Sequence, residues 1–389
     1  MCLDPSAPRV LVNPRWTLHG DRASPETLRG APRHFHRSIP GYRETPTRSL
    51  PPAIVDHRAA RTFVKHEARR FDLPAYKVLG ASWALHEAIR RASGVPDGAT
   101  LTMQAIADAA ALVGPRRLCT ATDGNHGRGV AWLAAQWGWP CHVFVPHDMV
   151  DARRLAIASH GAHVTRVEGG YDAACDAAEA AQRADPSAWL CADTARDDEA
   201  AFVQRFAADV QRGYHTLFEE ATEQVPAAAI DCVLVPTGVG ALAASAVTFF
   251  REYAPHVRVI TVEPEGSACV QAALERGRPM PVSDSPSIMA GLRAGVVSSV
   301  AWPTLRSGVA AAVSITDDEA RDAMVRLGGE QLEAGESGAA SLAGARRLLA
   351  DATACAALGV TPDCTVLLIN TEGATDPAAW ARVLASARP

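Results

Sequence analysis

Two lysines stand out as candidates for chemistry because this chain otherwise uses arginine for its long basic side chains. It has 38 lysines and arginines, and only Lys65 and Lys77 are lysines. A lysine amine can lose its proton and form an imine with an aldehyde, whereas an arginine stays charged. Lys77 lies in the apolar run Ala75–Leu79, which is expected to lower the pKa of its amine. Lys77 is therefore the predicted imine-forming residue, with an ordinary surface lysine as the alternative.

Lys65 receives a different interpretation. It lies in Arg61–Arg70, where charged side chains are spread along the run, a pattern typical of the solvated face of a helix. A second helix is predicted just after Lys77. It begins near Gly80 and includes residues Ser82 to Arg91.

Length and composition favour a two-domain globular protein of the cytoplasm. The 389 residues exceed what one hydrophobic core usually serves. The net charge of −5 gives no footprint for nucleic acid, and no apolar run reaches the ~18 residues of a membrane span. The nine cysteines lack metal-ligand spacing, and the first residues lack the apolar region of a signal peptide. Free thiols in a reducing compartment are therefore predicted, with no metal, nucleic acid or membrane as partner.

Apolar strands alternate with helical segments along most of the chain, which predicts parallel sheets with helices on both faces. Residues 1 to 53 are predicted to form an arm over this body, and residues 199–224 one long helix. The predicted strands are Arg117–Ala121, Cys141–Val145, His163–Val167, Ala188–Ala192, Asp231–Val235, Val257–Val262 and Cys364–Ile369. Ligands bind beyond the carboxyl ends of such strands, so the residues that follow each strand are the candidate site.

Two polar loops follow predicted strands and open helices. Thr122–Gly127 carries two glycines that allow a ligand to approach the backbone, and its helix start offers N–H groups to an anion. The alternative is an ordinary helix cap by Thr122 or Asp123. The second loop, Pro236–Ala243, is rich in glycine and has the arrangement that binds phosphate through backbone amides.

The second loop also spells the G-x-G-x-x-A fingerprint of dinucleotide-binding folds, and Glu263 ends the next strand. A nicotinamide-dependent (NAD) oxidoreductase is therefore an alternative from another enzyme class. Three further polar segments, Asp193–Thr194, Gly335–Ala339 and Asn370–Pro377, follow strands or open a helix, and each of them could be a helix cap.

Taken together, these segments resemble the diaminopropionate ammonia-lyases, which are fold-type II pyridoxal-phosphate enzymes related to serine and threonine dehydratases. The resemblance runs from about Phe71 to Pro377 and covers most of the chain. The segments that carry it, in the family's order, are Ala75–Gly80, Thr122–Val130, Ile288–Leu292, Gly335–Gly338 and Thr371–Gly373.

The resemblance implies an α/β fold with two open, doubly wound parallel-sheet domains and the cofactor in the cleft between them. It implies a large cofactor-binding domain of residues 1–90 and 200–389 and a small substrate-side domain of residues 91–199. It also implies pyridoxal 5'-phosphate as the cofactor, an amino acid as the substrate and a homodimer as the assembly.

Matching positions receive roles from the same resemblance. Lys77 would carry the cofactor as an imine, Asn125 would face its phenolic oxygen and Thr371 its pyridine nitrogen. A neutral hydroxyl at that nitrogen leaves the ring a weaker electron sink than a carboxylate would, which suits prompt loss of a β-substituent. The cofactor phosphate would bind at Gly238, Val239, Gly240, Ala241 and Leu242.

The substrate side is implied in the same way. Asp123 and Asp193 would act as bases on opposite faces of the substrate, and burial is expected to raise the pKa of such a base. The substrate carboxylate would meet the backbone amides of Thr122, Asp123, Gly124 and Asn125. The implied reaction is α,β-elimination from 2,3-diaminopropionate or an analogue, through aminoacrylate, to a 2-oxo acid and ammonia. The alternative is β-elimination or β-replacement on serine, threonine, or an acylated or phosphorylated derivative.

Two segments depart from the family pattern. After Asp193–Ala195 the chain has Arg196–Asp198 where the family has Trp-Glu-Gly-Tyr. Arg293 replaces a neutral residue, and Val296 stands where the family has an acidic one. If Arg293 binds substrate, a neutral or anionic β-group is favoured over an ammonium; the alternative is that Arg293 points to solvent.

Overall fold

A computed structural model describes residues 9–17, 30–56, 61–283 and 285–386 of the chain. The strands among these residues are β1 Val10–Val12, β2 Thr47–Leu50, β3 Arg61–His66, β4 Leu118–Ala121, β5 Cys141–Pro146, β6 His163–Val167, β7 Trp189–Leu190, β8 Cys232–Pro236, β9 Arg258–Pro264, β10 Val309–Ile315 and β11 Thr365–Asn370. Short 3₁₀ turns lie at Pro52–Val55, Ala227–Ala229, Glu265–Ser267 and Ala290–Leu292.

The α-helices of the described residues are α1 Ala31–Ser38, α2 Lys77–Ala92, α3 Met103–Val113, α4 Asn125–Trp137, α5 Asp151–Ala158, α6 Tyr171–Ala184, α7 Ala201–Gly213, α8 His215–Gln224, α9 Ala241–Tyr253, α10 Cys269–Arg276, α11 Trp302–Gly308, α12 Asp317–Gly329, α13 Glu336–Ala350, α14 Ala352–Leu358 and α15 Pro377–Ser386. None of these helices combines the length and the apolar character that crossing a membrane requires.

The chain divides into two compact units. The larger comprises Met1–Pro25, Glu44–Arg69 and Leu217–Pro389, and the smaller comprises Glu26–Arg43 and Arg70–Thr216. The larger unit contains a seven-stranded sheet in the order β1-β10-β9-β8-β11-β3-β2. Its five central strands run parallel, and the edge strands β1 and β2 are antiparallel to their neighbours. Every residue of β8 and β11 is buried, as expected for parallel strands covered on both faces.

The smaller unit contains a four-stranded, fully parallel sheet in the order β6-β5-β4-β7. Helix α6 packs on β4 and β5, and its alanines share a hydrophobic core with β4 and β7. Because all four strands run the same way, the segments that follow β4, β6 and β7 meet at one edge of this sheet. The predicted α/β class with parallel sheets is confirmed in both units.

Helix α2 packs tightly on α7 and the residue after it. A Cβ atom on Gly80 would lie 2.5 Å from Cε1 of Tyr214, and one on Gly213 would lie 2.6 Å from the carbonyl oxygen of Leu79. The two backbones approach this closely because both positions are glycine. Helices α2 and α7 belong to the compact unit that contains the four-stranded sheet. The predicted small domain, residues 91–199, left α2 and α7 out and assigned them to the large domain of residues 1–90 and 200–389.

The prediction of a solvated helix around Lys65 is wrong. Arg61–His66 is strand β3, which pairs with both β2 and β11, and Lys65 is fully buried. Its Nζ atom donates to Oε2 of Glu220 at 2.7 Å and to the carbonyl oxygen of Thr45 at 2.6 Å. The local pattern of charges failed because the residue that neutralises Lys65 is 155 positions away in the sequence.

Replacing Lys65 with methionine is expected to lower the free energy of unfolding by about 3–5 kcal/mol, because it leaves the buried carboxylate of Glu220 without its ammonium partner. Chemical denaturation of the purified variant measures this. The control is Arg321→Met, which removes an exposed pair with Asp318 and should cost about 0.5 kcal/mol or less. Equal losses in the two variants would contradict a structural role for the buried pair.

Three further segments differ from the sequence-based expectations. The predicted N-terminal arm contributes two strands to the fold, because Val10–Val12 and Thr47–Leu50 form the two edges of the larger sheet. Residues 1–8 and 18–29 of this predicted arm lie outside the described part. The long helix predicted at 199–224 is two helices, α7 and α8, with Tyr214 buried between them. Strand β10 went unpredicted because its sequence, Val-Ala-Ala-Ala-Val-Ser-Ile, is rich in alanine, which favours helices.

Candidate active site

Lys77 and Asp193 form an ion pair in the smaller unit. Lys77 is the first residue of α2, and Asp193 lies just after β7. The Nζ atom of Lys77 is 2.5 Å from Oδ2 of Asp193, and the two side chains are 17% and 6% exposed. The sequence singled out both residues but did not predict their contact. The arrangement places the Lys77 ammonium directly against the Asp193 carboxylate, and little of either side chain is exposed to water.

The electrostatics of this pair differ from the prediction. Burial by itself would lower the pKa of Lys77, but the Asp193 carboxylate raises it well above its ordinary value, with smaller contributions from Tyr214 and Tyr76. Burial by itself would raise the pKa of Asp193, but the Lys77 ammonium holds it well below its usual range. The expected lowered amine pKa and raised carboxyl pKa are therefore wrong for the paired residues. The apolar neighbours of Lys77 in the sequence gave no sign of the carboxylate.

The loop that follows β4 is folded around Thr122. Its Oγ1 atom accepts N–H bonds from Gly124 at 2.9 Å and from Gly127 at 3.0 Å, while its own N–H donates to the carbonyl of Phe144. Gly124 has a φ of 142°, a conformation that favours glycine. The amides of Thr122 and Gly124 are thus already bonded within the protein. Asp123 and Asn125 are both half-buried, and Asn125 begins α4.

His126 joins this loop to the end of β7. Its Nε2 atom lies 2.8 Å from the carbonyl oxygen of Cys191, and because a carbonyl only accepts, Nε2 carries the hydrogen. Its Nδ1 atom is buried without a hydrogen-bond partner among the described residues and lies 4.0 Å from Oδ2 of Asp193. Burial lowers the pKa of His126, so the ring is neutral and Nδ1 is an acceptor. Through the Cys191 contact, His126 supports this loop.

The glycine-rich loop lies in the larger unit and opens α9. Gly238 and Val239 are half-buried, Gly240 has a φ of 98°, and Ala241 and Leu242 are the first residues of this 13-residue helix. A Cβ atom on Gly240 would lie 2.6 Å from Cδ1 of Leu305, so a side chain there would collide with the packed α11. The loop therefore presents the N-terminus of a long helix, which suits a phosphate.

The segment that contains Arg293 wraps around this loop. A Cβ atom on Gly238 would lie 3.4 Å from Cα of Leu292, and the N–H of Ser298 donates to the carbonyl of Val239 at 2.9 Å. Arg293 follows Leu292 directly and is half-buried, and it makes contacts within the protein. Its backbone is thus next to the predicted phosphate loop.

Thr371 lies just after β11 between two fixed neighbours. The side-chain amide of Asn370 donates to Nδ1 of His66 at 2.7 Å, and Oε1 of Glu372 accepts the N–H of Ser337 at 3.2 Å. The N–H of Gly335 also donates to the carbonyl of Glu372 at 3.0 Å. The segments Gly335–Gly338 and Thr371–Gly373 therefore form one substructure in the larger unit. Thr371 itself is 4% exposed, and its hydroxyl bonds to none of the described residues.

One residue of the site was missed from the sequence. Tyr171 is the first residue of α6, and its hydroxyl donates to Oδ1 of Asp193 at 3.4 Å. It follows β6, so the search beyond the ends of the strands that found the other residues could have found it as well. The short run Glu168–Gly170 before it has the composition of an ordinary turn.

Comparison with known proteins agrees with this geometry. The sequence pattern of the pyridoxal-phosphate dependent enzymes matches residues 39–371. This chain belongs to that family. It is 31% identical to the diaminopropionate ammonia-lyase of Escherichia coli K12 in an alignment of 359 positions that covers 88% of each chain. It is 30% identical to that of Salmonella typhimurium in an alignment of 397 positions, gaps included, that covers 94% of this chain and 95% of the relative.

Solved structures give the same result for the fold. The crystal structure of the Escherichia coli diaminopropionate ammonia-lyase in complex with D-serine superimposes with a TM-score of 0.87 at 28% identity, covering 97% of both chains. The structure of the same enzyme with an aminoacrylate-PLP azomethine reaction intermediate gives a TM-score of 0.84 at 27% identity. The chain is therefore a diaminopropionate ammonia-lyase-like, fold-type II pyridoxal-phosphate enzyme.

The residues of this pyridoxal-phosphate enzyme fit its cofactor. The ε-amine of Lys77 is partly accessible, which imine formation requires. The loop at Gly238–Leu242 presents a helix N-terminus of the kind that binds phosphate, and Thr371 offers a neutral hydroxyl with no bond to the described residues.

The alternative prediction of an NAD-dependent oxidoreductase is wrong, because the chain belongs to the pyridoxal-phosphate dependent enzymes. Both carboxylate oxygens of Glu263 accept backbone N–H bonds from the start of α10, from Val270 at 2.8 Å and from Gln271 at 2.9 Å. Glu263 is fully buried, so it caps a helix and is not exposed to bind a ribose. The G-x-G-x-x-A spelling arises because a phosphate loop of either class needs small residues at the start of its helix.

Arg196, at the first departure from the family pattern, is held by α6. Its Nη1 atom lies 2.7 Å from Oδ1 of Asp176 and 3.5 Å from Oε1 of Glu179. Gln204 donates to the carbonyls of Arg196 and Asp197, which fastens the same segment to α7. The altered residues after Asp193 thus anchor the segment to two helices of the smaller unit.

Proposed function

We propose that this enzyme catalyses α,β-elimination from 2,3-diaminopropionate or a related β-substituted amino acid, giving a 2-oxo acid and ammonia. The observation that carries the proposal is the direct contact of Lys77 with Asp193, which puts the amine that would hold the cofactor beside a potential base. The similarity to diaminopropionate ammonia-lyases over 88% of the chain supports the substrate class.

Each proposed cofactor contact uses a different segment of the chain. Lys77 would hold pyridoxal phosphate covalently, the Gly238–Leu242 loop would hold its phosphate, Asn125 would face its phenolic oxygen and Thr371 its pyridine nitrogen. The cofactor, when bound, withdraws electrons from the α-carbon of the amino acid. The protein itself positions the substrate and transfers the protons.

Asp193 and Asp123 are the proposed bases at the α-carbon. The Lys77 ammonium keeps the pKa of Asp193 low, and this effect would be removed once the nitrogen of Lys77 is deprotonated or drawn away from the carboxylate to hold the cofactor. Burial then dominates, and burial raises the pKa of a carboxyl, which is the direction a general base needs. For the substrate carboxylate, the proposed site is the Thr122–Asn125 loop, in which the amides of Thr122 and Gly124 bond within the protein.

The test is incubation of the purified enzyme with a panel of β-substituted amino acids, including both enantiomers of diaminopropionate and serine, with 2-oxo acid and ammonia followed separately. Equal amounts of the two products from a serine-type substrate, and two equivalents of ammonia from diaminopropionate, are expected. A panel in which the amino acid is consumed without 2-oxo acid would instead indicate β-replacement.

We also propose that the enzyme is a cytoplasmic homodimer. No disulfide joins the eight cysteines among the described residues, and six of them are buried, which supports a reducing compartment. Size-exclusion chromatography with light scattering tests the dimer, and a monomer at micromolar concentration would contradict it.

Arg293 is proposed to select the charge of the β-substituent. A charge pair about 4 Å apart at an effective dielectric constant of about 20 is worth about 4 kcal/mol before desolvation, enough to reverse a preference. Neutral or anionic analogues, such as acylated or phosphorylated ones, are therefore expected to give a higher kcat/KM than diaminopropionate, and Arg293→Ala should reduce that ratio at least about 10-fold.

The matched control for this prediction is Arg276→Ala, an exposed arginine at the end of α10, which should leave the ratio unchanged. Fast turnover of diaminopropionate that is the same in the wild type and in Arg293→Ala would contradict the selective role and leave the plain ammonia-lyase activity.

A further inference from the structure

Tyr171 and Lys77 contact different oxygen atoms of the Asp193 carboxylate. Lys77 is 2.5 Å from Oδ2, and the Tyr171 hydroxyl donates to Oδ1 at 3.4 Å. Other titratable groups that face Asp193 within the smaller unit include His126, with Nδ1 4.0 Å from Oδ2, and Tyr214 and Cys175, whose pKa values the carboxylate helps to raise. A carboxylate held at both oxygens has a defined orientation, whereas one held at a single oxygen can rotate.

The hydroxyl of Tyr171 is a donor throughout the neutral pH range. Burial raises its pKa well above the ordinary value, and Cys175, Asp193 and Asp123 push it in the same direction. A phenol that stays protonated can give its hydrogen to Asp193 whether Lys77 is charged or neutral.

Helix α6 contacts both ends of the segment from Asp193 to Arg196. Tyr171 begins the helix and bonds to Asp193, while Asp176 and Glu179, further along the same helix, bind Arg196 three residues after Asp193. The segment between Asp193 and Arg196 is therefore fastened to α6 at two points. The second of these contacts uses Arg196, a residue at which the chain departs from the family pattern.

We propose that Tyr171 is a positioning residue for the proposed active site: its hydroxyl fixes the orientation of the Asp193 carboxylate once Lys77 no longer does so. The inference rests on the proposed function, because the orientation of Asp193 affects turnover only if Asp193 takes the substrate proton. Tyr171 acts through Asp193 and is assigned no contact with the substrate.

The first test measures the hydrogen bond itself, without cofactor or turnover. The pKa of Asp193 is followed by NMR with ¹³C-labelled aspartate in Lys77→Ala and in Lys77→Ala/Tyr171→Phe, with assignment from Asp193→Asn. Removing a donor to the charged form raises a carboxyl pKa, and a hydrogen bond to a charged group corresponds to a shift of about one unit or more. Tyr253→Phe in the same background, a tyrosine packed on Phe249 in the larger unit, should cause no shift.

An Asp193 pKa that is equal in the two proteins would overturn the proposal. Should Tyr171→Phe fail to fold, 3-fluorotyrosine incorporated at position 171 supplies a ¹⁹F resonance in the otherwise unchanged chain. Asp193→Asn is expected to shift that resonance, and a resonance that does not respond would likewise refute the contact.

The second test uses the holoenzyme and separate enantiomers. Tyr171→Phe should lower kcat about 10–100-fold for the enantiomer that depends on Asp193, with KM changed less than about 3-fold and cofactor content unchanged. An equal loss for both enantiomers, or a loss of cofactor, would show a purely structural role. If the wild type performs no elimination at all, the proposed function fails, and the titration above still decides whether Tyr171 holds Asp193.

Discussion

Replacing Lys77 with alanine is expected to reduce elimination at least about 10⁴-fold while the protein remains folded, because the amine that would hold the cofactor is gone. No other lysine can take its place. Lys65 is the second and last lysine of the chain, and it is fully buried in an ion pair with Glu220 in the larger sheet. Lys77→Arg should be equally inactive, because a guanidinium stays protonated and does not form the imine.

The measurement is the visible absorption of the purified protein together with borohydride reduction and peptide mapping. The wild type should be yellow, and reduction should fix the cofactor on the peptide that contains Lys77. Circular dichroism of Lys77→Ala checks the fold, since the variant leaves Asp193 buried without its partner. Turnover retained in Lys77→Ala, or a colourless wild type, would refute the assignment.

The loops of the candidate site were predictable from the sequence because each of them is a short contiguous segment. Thr122–Gly127 and Pro236–Ala243 follow strands with apolar sequences, and each opens a helix, as the sequence predicted. A buried parallel strand has a clear apolar signature, and a polar loop directly after it has no packing explanation. Strands β4, β5, β6, β8 and β9 were therefore located to within about two residues.

The directions of the pKa shifts at the site were not predictable from the sequence. Whether the amine of Lys77 has a raised or a lowered pKa depends on Asp193, which is 116 positions away in the sequence and arrives there through the folding of the four-stranded sheet. Lys65 was misassigned for the same reason, since its partner Glu220 comes from a distant helix. Local composition reports how apolar the neighbouring residues are, but it does not report a charge brought in by the tertiary structure.

Asp193→Asn is expected to reduce elimination about 10²–10⁴-fold for one enantiomer of the substrate, and Asp123→Asn to do so for the other, because each is the proposed base for one face. The amide retains the shape of the side chain and cannot accept the proton. Initial rates with separate D- and L-enantiomers measure the effect, and Asp318→Asn, an exposed residue of α12 in the larger unit, is the control.

Asp193→Asn also removes the charge that raises the pKa of Lys77, so its effects on cofactor loading and on proton transfer must be separated. Measuring cofactor content in each variant and expressing the rates per loaded site achieves this. A base that is lost on one face changes the ratio of the two enantiomers' rates, whereas poor loading lowers both rates by one factor. If both variants lost both enantiomers equally per loaded site, the aspartates would be positioning the substrate. If neither variant lost activity, the proton would be taken by another group, for which His126, with its unpartnered Nδ1 atom 4.0 Å from Asp193, is the nearest candidate among the described residues.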